Sequence, residues 1–542
     1  MCDGEGPRIM SKALTPADLS HHFSQAGFQN FAFKSFPMAS KKVNIIGGGM
    51  AGLCAGSYLQ MNGYDVTIYE MNHTPGGVCT SWQRNGYTID LCIHWLVGSG
   101  PKSSFYERWN ELIDLDELRF VDHEEFYRVE DAHGNHISIF SDIDKLEKEF
   151  LLKSPEDEKE IREFISALRK LSTFDMPSKE AWEVANVWHR VKLIGKLAPY
   201  LQTLGKFRKL TCREYSEHFK NPLMKKVMMH LPDPEMGIIF GMFALVWFHN
   251  KTAGYPVGGS LNFAQKVFEG YQQLGGKIVF NARVKQILVR DKKAVGIELT
   301  NGDKFYSDFT ISAADGHATI YDMLGGNYMD DKLQKFYATA KTFPSLIFVA
   351  LGVKKDFTKE PHMLMLPLVE PLVIDPETKL SDLLVHNHSF DPTLAPEGGT
   401  LLTFMLETYN YRYWNSLYET NKEMYESEKK RIADAVIEIL EKRFGGVKQN
   451  VEMIDVSTPV SFIHFSGNWK GSFEGWLITP DSGFKRLPHT LPGLKNFYMC
   501  GQWVAVGGGL PGVLISARDT VQIICKEDNK EFNVLKASAA AV

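Results

Sequence analysis

The feature that most constrains the fold is a cluster of glycines directly after a short apolar run. Residues 43–46 read VNII, and glycines follow at positions 47, 48, 49 and 52. The apolar run predicts a buried strand, and residues 50–62 predict a helix. In the pattern Gly47-x-Gly49-x-x-Gly52, the first glycine permits a tight turn and the second lets a pyrophosphate approach the backbone. The third glycine lets helix and strand pack closely, so the pattern predicts a parallel, doubly wound α/β sheet with a phosphate site at its first helix.

The predicted second strand ends in an acidic residue. Residues 66–70 read VTIYE, which places Glu70 at the end of the strand. A carboxylate at this position accepts hydrogen bonds from ribose hydroxyls and repels a 2′-phosphate. Gly76 and Gly77 follow, and a second glycine pair lets the backbone pass close to a large ligand. These residues predict a dinucleotide site.

Residues 47–77, together with GYTID at 86–90, resemble the flavin-binding start of the phytoene desaturase superfamily. That superfamily includes carotenoid desaturases, carotenoid isomerases, retinol saturases and, more distantly, amine oxidases. GYPVGGS at 254–260 resembles the middle segment of the family's FAD domain, and residues 497–513 resemble its C-terminal flavin motif. The resemblance implies FAD as cofactor, with Val284 beside the adenine and the N–H groups of a helix start beside the flavin pyrimidine.

The glycine pattern and the resemblance together predict one FAD site. Its predicted residues are Gly47, Gly49, Met50, Ala51, Gly52, Glu70, Gly76, Gly77, Val78, Val284, Gly501, Gly509, Gly512 and Val513. The chain departs from the usual family pattern at Val78, Cys92 and Ala517. Because FAD is held mostly by backbone groups, these departures concern the subfamily and the substrate, and the cofactor prediction is unaffected.

The order of these motifs predicts domains that are each built from separated segments. We expect a Rossmann-like FAD-binding domain of the glutathione-reductase type and a discontinuous, mixed α+β substrate-binding domain. The FAD-binding domain takes residues 43–120, 254–325 and 490–530, and the substrate-binding domain takes residues 121–253 and 326–489. Residues 1–42 are predicted to be an N-terminal extension.

Composition narrows the remaining classes of protein. The chain has 60 lysines and arginines and 65 acidic residues, so its formal net charge is −5. A general nucleic-acid binder is normally basic, and this class of protein is therefore disfavoured. The seven cysteines form no CxxC pair, so we predict no metal site and a reducing, cytoplasmic compartment. A membrane-spanning helix needs about 20 apolar residues, and no segment of the sequence predicts one.

One segment differs from this acidic balance. Residues 184–213 contain no acidic residue and seven basic ones, with apolar residues recurring every three or four positions. A basic amphipathic helix suits a lipid headgroup surface, although it is equally typical of a helix packed on its own domain. The functional interpretation predicts a peripheral membrane contact through which an apolar substrate enters.

These predictions converge on an FAD-dependent oxidoreductase that desaturates or saturates carbon–carbon double bonds in a long apolar polyene or unsaturated lipid, carotenoid-like in character. A redox-neutral isomerase or hydratase, an amine oxidase-like enzyme and a protein with purely structural FAD are the alternatives. His94 is the predicted catalytic residue, because a histidine near the flavin can move a proton at neutral pH. Asp90 is predicted to hold its loop. The substrate, the direction of reaction, the electron acceptor and the oligomeric state stay open.

Overall fold

The computed structural model describes residues 40–175, 180–231, 233–482 and 485–535, so the predicted extension 1–42 lies almost wholly outside the described residues. The strands are β1 (Lys42–Ile46), β2 (Asp65–Tyr69), β3 (Ser81–Arg84), β4 (Tyr87–Asp90), β5 (Leu96–Val97), β6 (Phe120–Val121), β7 (Glu125–Glu130), β8 (His136–Phe140), β9 (Ala253–Pro256), β10 (Lys277–Val279), β11 (Val284–Arg290), β12 (Lys293–Leu299), β13 (Lys304–Tyr306), β14 (Phe309–Ser312), β15 (Ser345–Val353), β16 (Met363–Asp375), β17 (Thr378–Asn387), β18 (Thr400–Thr408), β19 (Val451–Ser457) and β20 (Phe497–Met499). The α-helices are α1 (Met50–Met61), α2 (Ser104–Trp109), α3 (Ile143–Lys153), α4 (Glu158–Leu171), α5 (Val187–Leu197), α6 (Leu201–Phe207), α7 (Cys212–Ser216), α8 (Pro222–Met229), α9 (Ile238–His249), α10 (Gly259–Gln273), α11 (Asp331–Thr339), α12 (Tyr411–Thr420), α13 (Lys422–Phe444), α14 (Pro459–Ser466) and α15 (Gly509–Glu527).

A five-stranded parallel sheet carries the glycine cluster. Its strand order is β10-β2-β1-β14-β20, and β1 lies at the centre between β2 and β14. Ile45, Ile68 and Ile311 are fully buried in these three strands. Helices α1, α10 and α15 pack in the same apolar cluster. The predicted strand–turn–helix–strand start is therefore present, within a mixed α/β protein.

In the sequence, the short segments KIVF, VKQILVR, AVGIELT and KFYSDF of residues 277–309 resemble one antiparallel meander, and this prediction is wrong at its first strand. Strands β11, β12 and β13 form the antiparallel sheet, whereas β10 pairs in parallel with β2. The hydroxyl of Tyr271, at the end of α10, lies 3.2 Å from the carbonyl oxygen of Val66 and 2.8 Å from that of Lys277. Because α10 precedes β10 and packs against the sheet, the chain enters β10 in the parallel direction.

A seven-stranded mixed sheet forms the other large layer. Its order is β19-β15-β18-β17-β16-β7-β8, and only β16 and β7 pair in parallel. Helix α13 packs on one part of this sheet, in a cluster around Trp414 and Phe404. Helix α9, apolar on nearly all sides, is buried in a second cluster with α4. The hairpin β3–β4 lies between strand β18 of this layer and helix α10, and β9 of the small sheet β5-β9-β6 lies between helices α9 and α10.

Helix α5 has no fully buried residue. Trp188 is 82% exposed, and Val187, Val191 and Ile194 are also exposed. The exposed basic side chains Lys192 and Lys196 lie on the same helix. Among the described residues, no helix is both long and apolar enough to cross a bilayer.

Candidate functional site

A cavity of about 370 Å³ lies at the carboxyl ends of β1, β2 and β14. Its volume is within the range of ligand pockets, and the carboxyl edge of a parallel sheet is where such folds bind ligands. The predicted residues that line it are Gly47, Gly49, Met50, Ala51, Glu70, Gly76, Gly77, Val78, His94, Val284, Gly509 and Val513. Gly52, Gly501 and Gly512 do not line the cavity. The structure thus brings twelve of the fifteen predicted site residues to one cavity.

The turn between β1 and α1 requires its glycines. Gly47 has a φ of +96°, which side chains rarely tolerate. A Cβ at Gly52 would lie 2.0 Å from the carbonyl oxygen of Gly47, so only glycine lets helix and strand approach this closely. Gly49 is the N-cap of α1 and supplies no side-chain cap, which leaves the first N–H groups of the helix available to an anion at the cavity.

Glu70 fixes this turn from the end of β2. One carboxylate oxygen accepts a hydrogen bond from the backbone N–H of Gly48 at 2.6 Å, and the other accepts one from Asn72 at 2.8 Å. The side chain is buried and lines the cavity. Each carboxylate oxygen has a second lone pair, so Glu70 retains acceptor capacity for a ligand hydroxyl.

The second glycine pair lies directly against the first turn. The N–H of Gly76 donates to the carbonyl oxygen of Gly48 at 2.9 Å, and both Gly76 and Gly77 have positive φ. A Cβ at Gly77 would lie 3.2 Å from the Cα of Gly49. Two glycine-rich segments therefore form a narrow cradle of backbone, which Cβ atoms would fill.

The C-terminal motif supplies a second helix start at the same cavity. Helix α15 follows Gly508, whose φ is +55° and which provides no side-chain cap, so the N–H groups of Gly509 and Leu510, two residues that line the cavity, have no partner within the helix. Gly501 lies behind this surface, where its N–H donates to the hydroxyl of Ser516 at 3.0 Å. Such oriented donors suit a group that gains negative charge on reduction.

His94 lines the cavity, but both of its ring nitrogens have partners. Nε2 lies 3.2 Å from the sulfur of Met405, and Nδ1 lies 3.1 Å from Nδ1 of His386. Burial lowers the pKa of His94 to about 4, so the ring is neutral at neutral pH. Asp90 instead holds its loop, since it accepts from the N–H of Ser260 at 2.9 Å and from the hydroxyl of Tyr255 at 3.2 Å.

Two acidic residues in the cavity wall were not predicted as site residues. Burial raises the pKa of Glu474 to about 8, and a Cβ at Gly509 would lie 3.2 Å from its carboxyl oxygen. Burial also raises the pKa of Asp315 to about 7, although its carboxyl accepts from the N–H groups of Ala318 and Trp469. Asp315 follows β14 at the carboxyl edge of the sheet, a signal that sequence reasoning could have used.

The remainder of the cavity is apolar. Its walls are formed there by Trp95, Leu346, Met405, Phe462, Phe465 and Phe473. Most of these residues belong to strands and helices of the other layer, so this part of the site has no compact sequence motif. The cavity therefore has two parts: one is the backbone cradle together with two helix N-termini, and the other is an apolar compartment. That donor set fits FAD, whose pyrophosphate is anionic and whose ring is planar and largely apolar.

Comparison with known proteins agrees with this geometry. The family model described as "Flavin containing amine oxidoreductase" matches residues 50–525. Prolycopene isomerase 1, chloroplastic, from an Oncidium hybrid cultivar is 25% identical over 519 residues, which cover 87% of this chain and 81% of that protein. Phytoene desaturase (lycopene-forming) from Paracoccus sp. is 24% identical over 506 residues, which cover 90% of this chain and 98% of that protein.

Solved structures share the fold at lower identity. An oxidoreductase from Methanosarcina mazei has a TM-score of 0.55 at 19% identity and covers 89% of this chain and 100% of its own. A putrescine oxidase bound to putrescine has a TM-score of 0.57 at 12% identity and covers 90% of this chain and 100% of its own. With a family model matched over most of its length, the chain belongs to the flavin-containing amine oxidoreductases, in the superfamily of phytoene desaturases and carotenoid isomerases, and it is an FAD-dependent enzyme.

Proposed function

We propose that this enzyme changes carbon–carbon double bonds in a long apolar polyene of the carotenoid type. The observation that carries the proposal is the continuity of the cavity, which runs from the glycine cradle to a compartment lined by aromatic and aliphatic side chains. An apolar chain that enters this compartment loses its water and meets the place where the flavin ring would lie. The relatives named prolycopene isomerase and phytoene desaturase support the same class of substrate.

We assign the cofactor to the predicted residues that line the cavity. The uncapped start of α1 and the turn at Gly47 and Gly49 would hold the pyrophosphate, and Glu70 would accept from a ribose hydroxyl. Val284 would lie beside the adenine, and the start of α15 at Gly509 would face the flavin pyrimidine. Bound FAD supplies hydride acceptance and donation, and the protein supplies orientation and protons. Gly52 and Gly501 act indirectly, because they allow close packing behind the cradle.

The finer division of the fold belongs to the same proposal. We assign the five-stranded sheet to a Rossmann-like domain of the glutathione-reductase type, built from residues 43–120, 254–325 and 490–530. All five of its strands fall in these segments, apart from Lys42 at the start of β1. All seven strands of the mixed sheet fall in residues 121–253 and 326–489, which would form the substrate-binding domain.

Anaerobic turnover tests the function. The FAD-loaded protein is mixed with liposomes that contain phytoene or prolycopene, while the flavin absorbance near 450 nm and the products are followed together. A desaturase bleaches oxidised flavin and adds double bonds, and a saturase re-oxidises reduced flavin and removes them. An isomerase changes only the geometry of prolycopene and leaves the flavin redox state unchanged. If neither polyene changes with oxidised or reduced flavin, while amines bleach it, the polyene proposal is refuted.

We further propose that α5 contacts a membrane that carries anionic lipid, through which the substrate arrives. The apolar side chains Trp188, Val191 and Ile194 are exposed next to lysines, a combination that suits the boundary between headgroups and acyl chains. Co-sedimentation with phosphatidylglycerol liposomes at low salt tests the contact. The wild-type protein should sediment, and Trp188→Glu should sediment less. Val369→Glu is the matched control, because Val369 is 96% exposed on β16, outside this helix. A wild-type protein that stays in the supernatant overturns the proposal.

A further inference from the structure

Five histidines from separate segments meet on the side of the cavity formed by the seven-stranded sheet. They are His94, His123, His362, His386 and His388, and we call them the histidine file. The ring centroids of His94 and His386 are 4.2 Å apart. The rings of His123 and His362 stack at 3.6 Å with an angle of 7° between their planes. His386 and His388 are buried, and His123 is half-buried next to the exposed residues 122 and 124.

The partners of His94 define its tautomer. A thioether sulfur carries no proton, so the contact between Nε2 of His94 and Met405 requires the proton on that nitrogen. Nδ1 of His94 is then an acceptor, and the proton in its hydrogen bond with His386 comes from Nδ1 of His386. This leaves Nε2 of His386 without a proton. That atom is buried and has no partner among the described residues.

The outer histidines also have ring nitrogens that are buried and unpartnered within the described part of the chain. These are Nδ1 of His388 and Nε2 of His123. Nε2 of His388 is held by the hydroxyl of Thr403 at 3.0 Å, and Phe390 packs on the edges of this group. Buried polar atoms without partners cost stability, so three of them in one cluster point to a mobile proton or a bridging water.

The histidines are in the charge state that a proton relay needs. Burial lowers the pKa of His94 and His123 to about 4 and that of His388 to about 3. Burial likewise holds the pKa values of His362 and His386 well below the ordinary range. A neutral imidazole has one N–H and one lone pair, so it can accept a proton on one nitrogen and release another from the opposite nitrogen.

We propose that the histidine file carries protons between the protein surface at His123 and the cavity at His94. The inference rests on the proposed double-bond chemistry. Saturation breaks the π bond of the double bond. Bound reduced FAD would supply the hydride to one carbon and become oxidised, while Nε2 of His94 donates the proton to the neighbouring carbon. His94 regains a proton at Nδ1 from Nδ1 of His386. A bridging water then returns a proton from the outer histidines to the unpartnered Nε2 of His386. Desaturation runs the same steps in reverse, and its proton leaves along the file.

Two measurements on FAD-loaded protein test the relay. The first is single-turnover flavin oxidation with a polyene substrate in H2O and D2O, for wild type, His386→Asn and His123→Asn. We expect His386→Asn to slow the step about 100-fold, the scale of general acid–base catalysis, with partial rescue by added imidazole. His123→Asn should lower the rate less and change the solvent isotope effect. His230→Asn is the matched control, since burial also lowers the pKa of His230 but none of the five histidines contacts it. It should behave as wild type.

The second measurement does not depend on turnover. In protein labelled with [15N]histidine, NMR should assign the His94 proton to Nε2 and report its exchange with water. We expect this exchange to be slower in His386→Asn than in the wild type. If His386→Asn fails to fold, His123→Asn, at the half-buried end of the file, provides the same comparison. Unchanged exchange in both variants overturns the relay. Normal relay exchange in a protein that never converts a polyene instead overturns the proposed function alone.

Discussion

Replacing Glu474 by glutamine should stabilise the protein at neutral pH. The carboxyl group of Glu474 lies in the cavity wall beside the start of α15, and no basic side chain forms an ion pair with it among the described residues. Burial raises its pKa from 4.5 to about 8. In the unfolded chain the group ionises freely, whereas in the folded protein it is kept protonated, so neutral pH favours unfolding.

The magnitude follows from the linkage between proton binding and folding. At pH 7 the pH is about 2.5 units above the pKa of the unfolded carboxyl group, whereas the folded group is still mostly protonated. Each unit corresponds to about 1.4 kcal/mol. Because the side chain is partly open to the cavity, we expect Glu474→Gln to gain about 2 to 3 kcal/mol at pH 7. At pH 5 the folded group is protonated and the pH lies only about 0.5 units above the unfolded pKa, so the gain should fall below about 1 kcal/mol.

Urea unfolding of the wild type and Glu474→Gln at pH 5, 6, 7 and 8 measures this difference. The gain in the free energy of unfolding should grow with pH up to about 8 and then stay level. Glu370→Gln is the control, because Glu370 is exposed on β16 and should give no pH-dependent gain. If the gain for Glu474→Gln is the same at pH 5 and pH 7, the carboxyl is not kept protonated by burial, and the reasoning is refuted.

Three further changes test the cradle and the histidines. Gly52→Ala should purify without FAD, because its Cβ would lie 2.0 Å from the carbonyl oxygen of Gly47, whereas Gly205→Ala, with nothing within 4 Å, should keep normal FAD content by absorbance. Glu70→Gln exchanges a carboxylate that accepts two backbone N–H groups for an amide that can accept only one, so fluorescence titration of the apoprotein should give about 10- to 100-fold weaker FAD binding. Burial lowers the pKa of His94 to about 4, so its contribution to stability is complete above pH 6.5 and is lost as the pH falls towards 4. In urea unfolding, the wild type should therefore lose up to about 3 kcal/mol of stability over this pH range, and His94→Asn should not show this loss.

Local patterns were sufficient to predict the β1–α1–β2 start of the five-stranded sheet, although not the parallel pairing of β10. The β1–α1–β2 unit depends on contacts between neighbouring segments, and each of its glycines meets a steric requirement visible in the sequence. The sequence also predicts a helix over Lys422–Phe444 that Gly445 and Gly446 close, and α13 has those bounds. The fully apolar helix α9 illustrates the limit, since its lack of periodicity reveals burial but not its partners.

The seven-stranded sheet could not be predicted, because it depends on pairings between distant strands. Strand β7 pairs with β16, more than two hundred residues later in the chain. The contacts of His94 with His386 and Met405 depend on how this sheet lies over the cavity. Neither His386 nor Met405 belongs to a recognisable sequence motif. Only the spacing of His386 and His388 indicated that histidines cluster here, because side chains two residues apart on an extended segment point to the same face.

The charge state of the cavity bears directly on the choice between a polyene and an amine. An ammonium substrate would need an ionised carboxylate, yet burial keeps Glu474 protonated up to about pH 8 and raises the pKa of Asp315 to about 7. The apolar compartment beside protonated Glu474 instead suits a hydrocarbon, which gains from apolar burial and has no charge to compensate. An amine bound beside Glu474 would lower the pKa of this carboxyl and release a proton. Calorimetric titration in buffers of different ionisation enthalpy should therefore detect proton release at pH 7 with a good amine ligand and none with a polyene, which separates the two chemistries without any turnover.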